Sequence, residues 1–408
     1  MGIRTKFNPM GGAVKIADDV AKVVCSSVTT WYLTNDGDLY GCGYNYVGQQ
    51  GSGNTYDVKT FTKRASNVKD VVCSDYETWY IDNNNDLYGC GSNSAGQQGS
   101  GNTTNVTTFT KRASNVAKVK CPTDAGVTWY LTTNGDLYGC GAGSYGQQSN
   151  NSSSNVTTFT KRASNVKDFD CSPSTTWYIS TGNYLYGCGW GLYGQQSNSG
   201  TSNVKTFTAE MTNINKVFCS STTTWCINSS GSLYGCGAGS NGQQGNNIAS
   251  DVNSFTNRAS NVKDVACSSN TTWYINSGGD LYGCGYGNKG QQGNSSTSDV
   301  KTFTYRASNV KQIACSDNVT WYLATNGDLY GCGESDKYQQ SGYTTSNVTT
   351  FTKRASDVKQ VACSKNTTFY INSSNELYGC GYSNKGQQGN GSTSNVMAFE
   401  NKMEYLTT

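Results

Sequence analysis

Seventeen cysteines and not one histidine set the chemistry open to this chain. Without imidazole, the usual general base of serine and cysteine triads is missing, and so is the commonest metal ligand. The cysteines come in pairs seventeen residues apart, such as Cys25 with Cys42 and Cys73 with Cys90, and nineteen apart for Cys121 with Cys140; Cys226 is the odd one. No Cys-x-x-Cys occurs, which weakens a zinc site. Two carboxylates flanking one sugar bond could support glycoside hydrolysis, and the irregular acids Asp75, Glu77, Asp124, Glu334 and Asp336 are the candidates. All five read as solvated loop residues. The stretch GCGYNYVG (41–48) has neither the spacing nor the following helix of a dinucleotide fingerprint. The expectation is a non-enzymatic chain with no catalytic residue, no cofactor and no metal, with a glycan-cleaving enzyme as the catalytic alternative.

The elements that must carry these side chains repeat. The first Gln of each GQQ-like triplet falls at Gln49, Gln97, Gln147, Gln195, Gln243, Gln291, Gln339 and Gln387, in steps of 48 with one of 50. Trp31, Trp79, Trp129, Trp177, Trp225, Trp273, Trp321 and Phe369 keep the same beat, so there are eight copies. Such a period, with no helical spacing inside it, is the signature of a propeller or a β-solenoid. Within one unit, NVKDVVCS (67–74), TWYI (78–81), DLYGCG (86–91) and VTTFTKRA (106–113) read as four short strands, the strand count of a propeller blade. NDGD (35–38) and TNGD (133–136 and 325–328) predict tight hairpins, because Asn-Gly and Asp-Gly tolerate positive φ. Asp38, Asp86, Asp136, Asp280 and Asp328 are therefore turn residues rather than catalytic or calcium-binding acids. Folding the hairpins sets Cys25 beside Thr30 and Cys42 beside Trp31, two strand spacings or roughly 9–10 Å apart. A disulfide needs Cα atoms within about 7 Å, so free, buried thiols are expected. Inter-blade disulfides and a central metal ring are the alternatives.

The formal net charge of +3 is scattered along the chain, which gives no footprint for nucleic acid or an anionic membrane surface. No run of about twenty apolar residues predicts membrane insertion. The opening MGIRTKFNPMGGAVKIADDV lacks a signal-peptide core, so folding in a cytoplasm is expected.

The unit VxxVxCSxxTTWYLTxDGDLYGCGxNxxGQQG resembles the repeat of the RCC1 family (regulator of chromosome condensation) over about residues 13–403. The resemblance implies an all-β fold, a β-propeller of RCC1-like four-stranded blades. The motif count favours eight blades, with the seven of the founding members as the alternative. Cys25, Cys73 and their equivalents stand where the family usually has Gly, Cys precedes the last Gly of LYGCG where Trp is common, and Thr stands where His is frequent. The founding member's exchange activity depends on a wedge and its chromatin binding on a basic tail; neither is locatable here, so neither is carried over. Ring closure is open from sequence. AVKIADDVAKVVCS (13–26) aligns with FTKRASNVKDVVCS (61–74), yet NVMAFENKM (395–403) also supplies an outer-strand segment. One would close the ring and free the other.

Two loops vary while the scaffold repeats: the tetrapeptides YNYV, SNSA, AGSY, WGLY, AGSN, YGNK, ESDK and YSNK before the GQQ-like triplets, and the residues after the first Cys of each unit. Divergence confined to loops on a rigid frame is how repeat proteins build binding surfaces. Tyr44, Tyr46, Tyr145, Trp190, Tyr193, Tyr286, Tyr338 and Tyr382 are the candidate ligand-binding residues, since Tyr and Trp offer stacking area with a polar edge to sugars or protein epitopes. Trp190 is the only Trp outside the regular position. The recurring Arg64, Arg112, Arg162, Arg258, Arg306 and Arg354 are expected to pair with acids or cover the blade edge rather than form a basic rim. IRTKFNP resembles the opening of phage and prophage tail-appendage proteins. That likeness implies an attachment arm (1–16) docking on other virion or tail proteins, a propeller (17–403) presented to host surface glycan or protein, and a short tail (404–408), with a virion location. The alternative is an intracellular, cytoplasmic RCC1-like adaptor or exchange factor.

Overall fold

Strands form where the β-branched and aromatic runs lie between Gly, Asn and Ser turns. The computed structural model describes residues 15–123 and 126–399. Blade 2 shows the pattern: Val68–Cys73, Glu77–Asp82, Leu87–Gly91 and Val106–Ala113, paired antiparallel in that order. Seven such four-stranded sheets and one three-stranded sheet follow one another, and the last packs on the first. The fold is an all-β propeller of eight blades.

The second strand of each blade lies between two neighbouring blades, and Thr29–Thr34 is accordingly buried at five of its six positions. Polar alternation is lost there because both faces are covered. Trp31 is fully buried and packs with Leu33, Leu39, Val68, Val71 and Tyr80 across the seam between blades 1 and 2. Its ring fixes the register. Gly41 sits opposite Trp31, and a Cβ there would lie 2.4 Å from the indole. Cys42 therefore falls opposite Thr30, not Trp31 as the sequence suggests, and Cys25 flanks the same Thr30 from the other side. The two-strand separation stands, and all seventeen cysteines are free. The seam of blades 4 and 5 departs from the pattern in one compensated way: Cys226 of blade 5 replaces the usual Tyr, and Met211 of blade 4, where other blades have Ala, meets its Sγ at 3.7 Å.

Two segments far apart in sequence close the ring. Gly43 pairs with Val58 and Leu39 with Ala65 in blade 1, whereas in blade 8 Gly381 pairs with Val396 and Leu377 with Ala17. The outer edge of blade 8 is thus shared between residues 396–399 and residues 15–17. Phe399 meets Trp321 at 5.8 Å and Tyr370 at 4.8 Å, repeating the contacts of Phe109 with Trp31 and Tyr80. Nearer the axis, Lys22 pairs with Asp70, Lys118 with Asp168 at 2.5 Å and Lys216 with Asp264 at 3.5 Å. Gln312 Nε2 donates to the Val361 carbonyl at 3.0 Å. The blades are thereby joined two by two.

Candidate functional site

The GQQ segment is a latch. Gln49 Oε1 accepts from Val47 N at 3.2 Å, and Nε2 crosses to blade 2 to donate to the Asp75 carbonyl at 3.0 Å. Its own carbonyl accepts the Cys90 thiol at 3.3 Å. Gln50 Nε2 turns inward to the Cys42 carbonyl at 2.8 Å. The crossing bond recurs from Gln147, Gln195, Gln243, Gln291 and Gln339, and Gln387 Nε2 closes the ring on Ser27 O at 3.2 Å, whereas among the described residues Gln97 Nε2 donates to Glu77 and Ser92. Cys42, Cys90 and their equivalents are fully buried, and burial pushes their thiols far above the ordinary range. Protonated, enclosed sulfurs are hydrogen-bond donors here and not nucleophiles. Among the described residues no three His, Cys, Asp or Glu side chains are placed to hold a metal ion.

These latches hold both variable loops on one face. Tyr44 N donates to Val28 O at 2.9 Å within blade 1, and the Gln49 bond ties that pair to the loop of blade 2. The hairpins lie on the opposite face with the links between blades, as Asn35 N to Asp19 O at 3.0 Å and Val68 N to Gly37 O at 2.9 Å show. There the turn acids grip the outer strands: Lys63 bonds Asp38 at 2.6 Å and Lys111 bonds Asp86 at 2.6 Å. The hydrogen bond from Lys63 holds the Asp38 carboxyl below its usual range. Among the described residues every ion pair is made by a lysine. The recurring arginines instead lie half-buried along the seams, as Arg306 Nε on Gln292 O at 2.8 Å illustrates.

The loop face gathers the aromatic candidates into two groups. Trp190 lies between Tyr145, at 5.1 Å, and Tyr193, at 5.2 Å, bringing blades 3 and 4 together. Their backbone is fixed by the latch glutamines, through Tyr145 N to Gln147 Oε1 and Tyr193 N to Gln195 Oε1, both 2.9 Å. Leu192 beside them is 50 % exposed. In the second group Tyr44 stacks on Tyr46 at 6.3 Å and meets Tyr76 edge-on at 6.3 Å, with Lys385 Nζ 4.9 Å from the Tyr44 ring centre. Tyr382 lies apart under Lys337, at 5.8 Å. Tyr286 and Tyr338 are half-buried and join neither group. Tyr338 keeps a positive φ, +66° against the +78° to +86° of Gly48 and its equivalents. Tyr76 and Lys385 were not among the candidates; the variable residues after the first Cys, where Tyr76 sits, carried the signal.

Two of the irregular acids are not solvated. Glu77 opens a strand and is 2 % exposed, and burial pushes its carboxyl up to about 7. Glu334 is buried between Lys289 Nζ, at 2.9 Å, and Asn318 Nδ2, at 3.0 Å. Asp336 is exposed and pairs with Lys337 at 2.9 Å. Asp75 is part-buried and accepts from Ser27 N at 2.8 Å, and Asp124 lies outside the described residues. Where the axis meets this face, a 520 Å³ cavity is lined by the Cys-Ser pairs that end the inner strands, such as Cys171-Ser172 and Cys219-Ser220.

Residues 358–387 match the Regulator of chromosome condensation (RCC1) repeat, and the same strand order recurs in all eight blades, with four strands in seven of them and three in the last. The chain is an RCC1-like repeat β-propeller. No curated protein matches the sequence. Among solved structures, this RCC1-like propeller superposes on Prp20p from Saccharomyces cerevisiae with a TM-score of 0.64 at 15 % identity, covering 88 % of this chain and 94 % of the other. The structure of Kap60 bound to yeast RCC1 (Prp20) gives a TM-score of 0.65 at 14 % identity, covering 95 % and 97 %. Human WBSCR16 gives 0.64 at 15 % identity, covering 85 % and 100 %. At these identities the likeness establishes the fold.

Proposed function

We propose that this RCC1-like propeller is a non-enzymatic, intracellular adaptor that binds a protein partner through its loop face. The observation that carries this reading is the Tyr145–Trp190–Tyr193 group with exposed Leu192, an aromatic anchor on a backbone held by latch glutamines. Rigid aromatic groups in water-excluding surroundings supply most of the binding energy at protein interfaces. The fold neighbours point the same way: Prp20p is described by its binding to Gsp1p and histones, and yeast RCC1 (Prp20) by its complex with Kap60. Seventeen free thiols suit a reducing compartment. The virion reading rests on IRTKFNP (3–9), which lies outside the described residues, and none of these three neighbours lends it support.

The test is quantitative crosslinking mass spectrometry on native extracts with wild type, Trp190→Ala and the rim control Tyr305→Ala. The expected result is one protein retained by wild type and Tyr305→Ala and depleted at least tenfold by Trp190→Ala. If no protein depends on Trp190, the reading fails. Trp190-dependent binding to a glycan array would replace the protein partner with a sugar.

A further inference from the structure

The strongest irregularity on the loop face is a buried acid that the fold does not require. Glu77 opens the second strand of blade 2, at a position where five blades carry Thr and two carry Val. Together with Ser74, Tyr76, Ser92, Ser94 and Gln97, it lines a 260 Å³ cavity that also touches Gly126 of blade 3. Glu77 Oε1 accepts from Gln97 Nε2 at 3.3 Å, and Oε2 from Thr128 Oγ1 at 3.2 Å. Both donors are neutral, and both oxygens keep lone pairs to offer. Glu77 makes no ion pair among the described residues. A carboxylate enclosed without a cation is unfavourable, and seven neutral residues at the same place show that the scaffold folds without it. Tyr76, which lines the same cavity, is 42 % exposed and sits edge-on to Tyr44. Tyr44 in turn already holds the Lys385 ammonium over its ring. Rings beside a carboxylate are the setting in which an ammonium group is held by charge and by π-faces together.

We propose that this cavity receives a primary ammonium group on an alkyl stem, with Glu77 as its counter-ion and Tyr76 against the stem. The ammonium supplies the cation that the buried carboxylate lacks. Two sources share this chemistry: the lysine side chain of a protein partner, which rests on the adaptor reading above, and a free alkylamine, which does not.

The experiment is calorimetric titration of the full chain in amine-free buffer at pH 8, with n-butylamine and neutral n-butanol as probes. Saturable binding of n-butylamine, no binding of n-butanol, and a Kd raised at least tenfold by Glu77→Thr are expected. Circular dichroism confirms that the variant is folded, which five threonine-bearing blades lead one to expect. A lysine tripeptide with blocked ends, compared with its norleucine counterpart, separates the sources. Lysine binding tighter than n-butylamine assigns the site to a partner side chain, and weaker binding assigns it to a free amine. Absence of n-butylamine binding, or equal binding by wild type and Glu77→Thr, overturns the proposal. Because Trp190 takes no part in these titrations, failure of the adaptor reading leaves their outcome untouched.

Discussion

Replacing Glu77 by Thr gives the sharpest thermodynamic test of how the blades bury it. The side chain is enclosed, and burial moves its carboxyl from 4.5 to about 7. At about 1.4 kcal/mol per pH unit, ionising it in the folded state costs about 3 kcal/mol. The folded chain holds a proton that the unfolded chain releases. Its contribution to stability is therefore fully present below pH 4.5, falls as the pH rises, and is gone above about 7. Glu77→Thr has no such proton. It loses the bonds from Gln97 and Thr128, a pH-independent offset of about 1 kcal/mol. The difference in unfolding free energy, variant minus wild type, should consequently rise by about 3 kcal/mol between pH 4.5 and pH 8. Urea unfolding followed by tryptophan fluorescence in amine-free buffers at both pH values measures it. Other titrating groups cancel in the difference, and the thiols of Cys73, Cys90, Cys121 and Cys140, all held above their ordinary value by burial, stay protonated throughout. A difference that stays flat to within about 0.5 kcal/mol would refute the reasoning.

Three further outcomes follow from the same geometry. Gln195→Leu strips the bonds to Tyr193 N and Ser221 O from a buried latch and should lower stability by about 1–3 kcal/mol, read from the urea midpoint. Tyr338→Gly should raise stability by about 1 kcal/mol, because φ of +66° strains a residue with a Cβ; an unchanged or lower midpoint counts against strain there. Titration with a thiol reagent should find all seventeen cysteines in denaturant. In the native protein the fully buried Cys42, Cys90, Cys188 and Cys284 should stay silent for hours, and rapid labelling of this set would contradict the latch.

The sequence alone determined the eight-fold period, the four strands per unit and the tight hairpins, because each is written in local spacing and in residues that tolerate positive φ. It also placed the variable aromatics in loops, since they interrupt an otherwise repeated frame. Separation across the middle strand was legible too, which kept Cys25 from Cys42. The one-residue register was not: it depends on the Trp31 ring, which admits only Gly41 opposite. Closure was equally hidden. Either terminal segment satisfies the outer-strand pattern by itself, and only the closed ring shows that Ala17 and Val396 share one edge. Likewise CSDYETW offers no sign that Glu77 is enclosed, because its cover comes from Gln97 and Thr128, one a loop away and the other on the next blade. Local pairing and turn chemistry act within one unit, and one unit of sequence carries them. Burial and closure arise where separate units meet, and only the assembled ring decides them.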